Sequence, residues 1–151
     1  AGSGRDEDRV KAKVAQEGLS DRFKFLGRLP ESDMPALFAC ADGMLVSLRD
    51  ETIFALTVPS KVKAYLACGK PILARLAGEG SLIIKGSQVG LAVAPGSPLE
   101  LSRAMEEFAK TDRATLAEMG LRSRGLYEHS FSLKAVTRKL LESMKALDRV
   151  D

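Results

Sequence analysis

The chain alternates short, unbroken apolar runs with longer segments in which apolar residues return at helical spacing. Four of the runs are too short for helices and are bounded by Gly, Asp or Pro, so they predict buried strands. Runs without polar alternation are typical of strands covered on both faces, as in parallel sheets. The predicted strands occupy residues 23–26, 44–48, 71–74 and 90–93.

Helices are predicted between and after these strands. Serines at several positions are good helix caps, and each precedes apolar residues spaced three or four apart. Helices are expected after Ser32, Ser60, Ser97 and Ser132, with a short one around 82–84 and a longer one over 112–128. Strict alternation of strand and helix predicts a Rossmann-like α/β fold, which is a parallel sheet with helices on both faces.

The predicted sheet has fewer strands than the roughly five or six of most doubly wound folds. The chain also begins with the turn-like residues Ala1, Gly2, Ser3 and Gly4, with no strand before them. We therefore expect a domain that is truncated at its N-terminus. The other interpretation is that these first residues are not native.

Composition narrows the class of protein further. The 151 residues are 45% hydrophobic and 28% charged, which favours one soluble globular domain. No apolar run approaches the roughly 18 to 20 residues that cross a bilayer, and a cytoplasmic protein is expected. The net charge of +3 is spread along the chain and there is no Trp, so nucleic acid is not an expected partner. Cys40 and Cys68 lie in apolar contexts and are expected to be buried, reduced thiols rather than zinc ligands.

The loops after the predicted strands are the places to look for chemistry, because ligands of such folds bind outside the carboxyl ends of the strands. Ser60, Lys61 and Val62 lie at a predicted helix start, where free backbone amides and the helix dipole favour phosphate. Lys61 adds a mobile cation. The plain alternative is that Ser60 is only a cap and Lys61 only a solvated residue.

Several stretches at these loops match a known family when taken together. They are Phe25-Leu26-Gly27-Arg28-Leu29-Pro30, the run from Met34 to Asp42, the run from Pro59-Ser60-Lys61 to Pro71-Ile72, and Tyr127-Glu128-His129-Ser130-Phe131-Ser132. The combination resembles the C-terminal half of retaining GT-B glycosyltransferases. Within that family it is most similar to the amino-sugar transferases of bacterial surface polysaccharide synthesis, over nearly the whole chain.

The resemblance implies that residues 1–151 are a single, partial C-terminal domain that binds a nucleoside diphosphate sugar, with uridine as the base. The full enzyme would transfer a hexosyl group, such as an N-acetylamino sugar, to a polysaccharide or lipid-linked acceptor. It would retain the anomeric configuration and need no cofactor and no metal. The missing N-terminal domain would hold the acceptor and carry any peripheral membrane association. The isolated chain is expected to be inactive, because it lacks that domain and part of the diphosphate clamp.

The resemblance also implies roles for individual residues. Gly27, Arg28 and Leu29 would contact the nucleobase through backbone groups; the alternative for Arg28 is a surface salt bridge. Glu51 would face the transferred sugar as the candidate catalytic carboxylate; the alternative is a solvated loop acid. The group next to the diphosphate would comprise Pro59, Ser60, Lys61, Val62, Glu79 and Gly80, and the alternative for Glu79 is an ordinary turn residue.

One departure from the family pattern concerns its two glutamates, which are separated by seven residues. The first aligns with Leu56 and the second, which holds the ribose, aligns with Ala64. Glu51 is therefore nominated by its position in the loop rather than by the motif.

A different class of function stays open beside the enzyme. The same architecture serves non-catalytic Rossmann-like modules that bind a ligand or another protein. Missing strands would leave a sheet edge exposed, through which copies of the chain could associate. A receiver-like module is not favoured, because Asp42, Asp50 and Glu51 do not form the acidic cluster that it needs.

Overall fold

The computed structural model describes residues 1–147 of the chain. This part forms two compact units, Ala1–Leu37 and the part from Phe38 onward. The last four residues of the expected domain 1–151 lie outside the described part.

The first unit contains a helix that sequence analysis missed, α1 at Glu7–Gln16. Its apolar residues Val10 and Val14 are too sparse to give a clear helical period. Charges one turn apart were the available signal, since Lys11 Nζ lies 2.7 Å from Glu7 Oε1.

The predicted strand at residues 23–26 is wrong. Phe23, Phe25 and Leu26 are each more than 40% exposed. Among the described residues no strand pairs with this segment, and a strand without a neighbour leaves its backbone groups unpaired. The rings of Phe23 and Phe25 instead stack with centroids 6.4 Å apart, and Lys11 Nζ lies 5.7 Å from the Phe25 centroid. Apolar content alone did not decide the conformation here.

The second unit is built on a parallel sheet, as predicted. Its strands are β1 at Met44–Ser47, β2 at Ile72–Arg75 and β3 at Gly90–Val93, in the order β1-β2-β3. Met44 pairs with Ile72, and Ile72 pairs with Gly90. The later three predicted strands and the Rossmann-like class are confirmed.

Helices surround this sheet. One of them, α3, was not predicted, because the segment between residues 50 and 59 shows no helical period. The surrounding helices are α3 at Thr52–Ala55, α4 at Ser60–Ala67, α5 at Glu79–Gly86, α6 at Pro98–Lys110, α7 at Arg113–Leu126 and α8 at Leu133–Leu147. Helix α2, at Met34–Ala39, begins in the first unit and ends in the second.

The helices begin close to the predicted serines, but most of these serines do not act as side-chain caps. Ser132 does, because its Oγ accepts a hydrogen bond from the Ala135 N–H at 3.2 Å. Ser97 precedes α6 without a side-chain cap. Ser60 is the first residue of α4 rather than its cap, and Pro59 occupies the capping position. The expectation that Ser60 caps this helix is therefore wrong.

The core of the second unit lies between the sheet and helices α4 and α5. Val46, Leu66, Ile72 and Ile84 are at most 1% exposed. At the margin of this core the Phe38 ring meets the Tyr65 ring edge to face, with centroids 5.3 Å apart. Burial raises the pKa of the Tyr65 hydroxyl.

Side-chain hydrogen bonds hold the turn between α4 and β2 in place. Lys70 Nζ donates to the carbonyl oxygens of Ala39 at 2.7 Å and Ala41 at 2.8 Å. Ser123 of α7 is fully buried, and its Oγ donates to the Lys70 carbonyl oxygen at 3.0 Å. Helix α7 is thereby tied to the point where β2 begins.

The two thiols differ from expectation in their exposure. Both cysteines are free, but Cys40 is exposed and Cys68 is half-buried. Helix α2 ends at Ala39, so Cys40 follows the helix instead of facing the core.

Truncating the buried Leu66 tests the position of the core. We expect Leu66→Ala to lower the free energy of unfolding by about 2–5 kcal/mol, because it leaves a cavity at a fully buried site. The matched control is Leu121→Ala, which removes a side chain that is 74% exposed and should change the free energy by less than about 0.5 kcal/mol. Urea denaturation measures both, and equal effects would contradict this core.

The cap of α7 predicts a dependence of stability on pH. Asp112 accepts hydrogen bonds from Thr115 Oγ1 at 2.7 Å and from the Thr115 N–H at 2.8 Å. These bonds, the side-chain one foremost, hold the pKa of Asp112 below its usual range. The contribution of the ionised cap is therefore present above the unfolded pKa of about 3.9 and is lost as the pH falls through the folded pKa.

We expect Asp112→Ala to melt below the wild type at neutral pH, with the deficit narrowing under acid conditions. Asp112→Asn is the control, since it keeps an acceptor but does not titrate. Thermal unfolding followed as the pH is lowered makes the comparison. A deficit of Asp112→Ala that stayed constant throughout would show that the carboxylate charge plays no part.

Candidate functional site

A cavity of about 290 Å³ opens at the carboxyl end of β1. Its walls come from β1 and the residue after it, from the segment around α3, and from the start of α4. The lining residues are Val46, Ser47, Leu48, Phe54, Thr57, Pro59, Ser60 and Lys61. Larger cavities of about 450 and 490 Å³ lie beside the turn before β2 and along β3, and none of the predicted site residues lines them.

The start of α4 presents a small set of donors to this cavity. Pro59 has no N–H, and the Val62 N–H donates to the Pro59 carbonyl oxygen at 3.0 Å. Within the described residues the N–H groups of Ser60 and Lys61 make no backbone hydrogen bond. The predicted set of free amides is therefore reduced to those of Ser60 and Lys61. The Val62 N–H is already hydrogen-bonded to Pro59, and Val62 is fully buried in the core.

Lys61 is the charged residue among those that line the cavity. Its side chain is exposed, and no ion pair of the described residues involves it. A cation next to free amides at a helix N-terminus attracts an anionic group. This arrangement suits phosphate oxygens.

Glu51 lies at the edge of this region rather than in it. It is exposed and occupies the position before α3, where its carbonyl oxygen accepts from the Phe54 N–H at 3.0 Å. Phe54 and Thr57 of the same segment line the cavity instead. Sequence reasoning missed both, because a segment without a helical period does not reveal which side chains turn inward.

Two glycines hold a second loop against the segment around α3. Gly78 has φ +71° and ψ −149°, and a Cβ there would overlap the backbone of Ala55. Gly80 is buried, and a Cβ there would lie 2.9 Å from Leu76 Cδ1 and 3.3 Å from Pro59 Cδ. Glu79 between them is exposed at the first position of α5 and does not line the cavity. Because neither glycine has a side chain, this loop can pack closely against the wall of the cavity.

Arg75 holds the wall of the cavity that is formed by the end of β1. Sequence reasoning also missed this residue. Its Nε donates to Ser47 Oγ at 3.1 Å, and its Nη2 reaches the Leu48 carbonyl oxygen at 3.4 Å. Arg75 and Ser47 are paired residues at the ends of β2 and β1. The pairing register was the signal, since it places both side chains at the same edge of the sheet.

The remaining candidates belong to the first unit. Gly27 has φ +60°, and its carbonyl oxygen accepts from the Gly2 N–H at 2.6 Å. Arg28 Nε donates to Ser3 Oγ at 2.9 Å rather than forming a salt bridge within the described residues. Leu29 follows, half-buried. The role of these three residues toward a nucleobase stays a prediction.

Within residues 1–147, no three His, Cys, Asp or Glu side chains are grouped as metal ligands. None of the described helices is both long and apolar enough to span a membrane.

Comparison with known proteins gives a consistent set of matches. A family model described as "Glycosyl transferases group 1" matches residues 1–111. The probable glycosyltransferase WbjE of Pseudomonas aeruginosa is 35% identical over 133 residues, which are 87% of this chain and 32% of that protein. The 2-deoxystreptamine glucosyltransferase of Streptomyces kanamyceticus is 34% identical over 120 residues, 78% of this chain and 29% of that protein. The chain thus spans about a third of the length of these relatives.

A solved structure shares the fold. Sucrose-phosphate synthase from Thermosynechococcus elongatus superimposes with a TM-score of 0.75 at 18% identity. The match covers 98% of this chain and 36% of that one. The parallel sheet surrounded by helices is therefore that of a GT-B Rossmann-like domain.

Gly78 offers a direct test of how the cavity wall is braced. We expect Gly78→Ala to destabilise the chain by more than about 2 kcal/mol, since the backbone conformation is nearly exclusive to glycine and the methyl group meets Ala55. Gly86→Ala is the matched control at the end of the same helix α5, where the added Cβ meets open space. It should be neutral or stabilising by up to about 1 kcal/mol. Thermal unfolding distinguishes them, and a tolerated Gly78→Ala would refute the close approach.

Proposed function

The chain belongs to the group 1 glycosyl transferases, and we propose that it is the nucleotide-sugar donor domain of a retaining GT-B enzyme. It binds a nucleoside diphosphate sugar, UDP-linked, from which the whole enzyme transfers a hexosyl group. One relative is named for glucosyl transfer, which is a hexosyl transfer. The proposed acceptor is a polysaccharide or lipid-linked chain, and an N-acetylamino sugar is the proposed hexosyl group.

The observation that carries this proposal is the cavity at the carboxyl end of β1, with Ser60 and Lys61 at its rim. Parallel α/β folds bind their ligands at this edge of the sheet. The volume of about 290 Å³ lies at the lower limit for ligand pockets, which hold roughly 300–1,000 Å³. It suits one part of a nucleotide sugar, with the rest held by other residues and by the acceptor domain.

In this proposal the start of α4 stabilises the leaving group. When the bond between the sugar and the diphosphate breaks, negative charge grows on the phosphate oxygens. The N–H groups of Ser60 and Lys61 and the Lys61 ammonium are donors fixed in advance for that charge, which is how oriented dipoles lower a barrier. No nucleophile from the protein is required, which accords with retention through attack from the leaving-group side.

The other predicted residues have supporting roles in the proposal. Glu51 accepts hydrogen bonds from hydroxyl groups of the transferred sugar, and Glu79 belongs to the group of residues next to the diphosphate. Gly27, Arg28 and Leu29 contact the base through backbone groups. The acceptor is held by the part of the enzyme that the relatives have beyond this chain, which also provides any peripheral contact with the cytoplasmic face of a membrane.

Titration with nucleotides tests the proposal. We expect the chain to bind UDP and UDP-N-acetylglucosamine, and Lys61→Ala to weaken both by about tenfold or more, since a hydrogen bond to a charged group contributes roughly 1.5–3 kcal/mol. Lys63→Ala is the matched control, because it removes an exposed lysine of α4 that does not line the cavity. It should stay within about twofold of the wild type. Chemical shifts of ¹⁵N-labelled protein measure both.

Two outcomes would speak against the proposal. One is a wild-type chain whose amide shifts do not move with any uridine, guanosine or adenosine diphosphate at millimolar concentration. The other is an equal loss of affinity in Lys61→Ala and Lys63→Ala, which would indicate non-specific attraction of anions.

A further inference from the structure

We propose that Ser47 is a sugar-contacting residue of the donor site and that Arg75 orients its hydroxyl group. The inference rests on the proposed function and adds which part of the donor fills the cavity. Its basis is the direction of the hydrogen bonds around Ser47, together with the chemistry of the facing wall.

The bond between Arg75 and Ser47 has only one direction. A guanidinium group is a donor and never an acceptor, so Arg75 Nε donates to Ser47 Oγ across 3.1 Å. The Ser47 hydroxyl proton must then point away from Arg75. No acceptor among the described residues takes this proton, and Ser47 is exposed in the cavity wall. The hydroxyl proton is therefore available to an acceptor in the cavity.

Thr57 on the facing segment has the opposite polarity. Its Oγ1 donates back to the Ile53 carbonyl oxygen at 3.4 Å, which leaves the oxygen lone pairs to accept. A ring hydroxyl group of a sugar both donates and accepts, whereas phosphate oxygens at neutral pH accept almost exclusively. The end of the cavity formed by Ser47 and Thr57, with one donor and one acceptor, fits the sugar better than the diphosphate.

Apolar residues complete this environment. Phe54, Leu48 and Val46 line the same cavity as the hydroxyl-bearing residues. The faces of a sugar ring expose C–H groups that pack on such surfaces, while its rim of hydroxyl groups needs hydrogen bonds. The diphosphate is then placed at the Ser60 and Lys61 end and the sugar ring toward Ser47.

The Arg75 bond also has a structural role, because it joins the last paired residues of β1 and β2. A purely structural bond would affect stability and would affect all ligands equally. An orienting bond affects the nucleotide sugar and spares the nucleotide, and its effect disappears once the Ser47 hydroxyl group is gone. These two differences define the experiment.

The experiment is a double-mutant cycle on the chain, read as dissociation constants for UDP and for UDP-N-acetylglucosamine and UDP-glucose. We expect Ser47→Ala to weaken the UDP-sugars by about 3- to 10-fold, the range for one lost hydrogen bond, and UDP by less than twofold. Arg75→Met should weaken the UDP-sugars to a similar or smaller extent. Ser47→Ala with Arg75→Met should be no weaker than Ser47→Ala alone, because the two residues act through one contact.

Two controls accompany the cycle. Ser47→Thr keeps the hydroxyl group and should restore most of the affinity for the UDP-sugars. Ser143→Ala removes an exposed serine of α8, whose hydroxyl group bonds only within its own helix at 3.0 Å, and should change nothing. Thermal unfolding of each variant shows that it is folded.

The result separates failure of this inference from failure of the proposed function. A wild type that binds UDP-sugars while Ser47→Ala binds them equally well, or loses UDP to the same extent, overturns the sugar contact and leaves the donor domain standing. Additive losses in the double variant overturn the orienting role of Arg75. A wild type that binds no nucleotide and no nucleotide sugar overturns the proposed function, and this inference with it.

Discussion

Strand β2 is the constraint on which the second unit depends. It pairs on both sides, with β1 and with β3, and its residues Ile72, Leu73 and Ala74 are all buried. A strand buried on both faces has to be covered by helices on each side, which forces a helical crossover before and after it. The crossover before it is α4 and the one after it is α5. Because both begin at the carboxyl edge of the sheet, the loops that form the cavity converge there.

The sequence predicted most elements of the second unit. Continuous apolar runs identified β1, β2 and β3, and apolar spacing and helix-start signals identified α4 to α8. The strands and α4 contribute to the buried core, whereas the apolar residues of α8, such as Leu133 and Leu147, are largely exposed. The conformation of two segments in the first unit depends on strand pairing and on charge rather than on apolar content. The segment at residues 23–26 is apolar but has no pairing neighbour among the described residues, while α1 is supported by pairs of opposite charge rather than by an apolar face.

The residues of the candidate site likewise divide into those that the sequence predicted and those that it did not. Ser60 and Lys61 were predicted from a helix start at the ligand-binding edge of the sheet, and the family resemblance pointed to both and to Pro59. Ser47, Phe54, Thr57 and Arg75 were missed because their contribution depends on side-chain direction at a strand end or in an irregular segment. Val62 does not offer the free amide that was predicted. Its N–H donates to the Pro59 carbonyl oxygen, and its side chain is buried in the core. Membership in the family accounts for the fold but does not supply these directions.

Pro59 has a consequence for the thermodynamics of ligand capture. Its ring restricts φ, which is −56° here, so the backbone that leads into α4 has few alternative conformations. The conformational entropy of this segment is therefore given up during folding rather than during association. A ligand that reaches Ser60 and Lys61 therefore meets a helix start with fewer alternative conformations, which lowers the entropic cost of ordering it on binding.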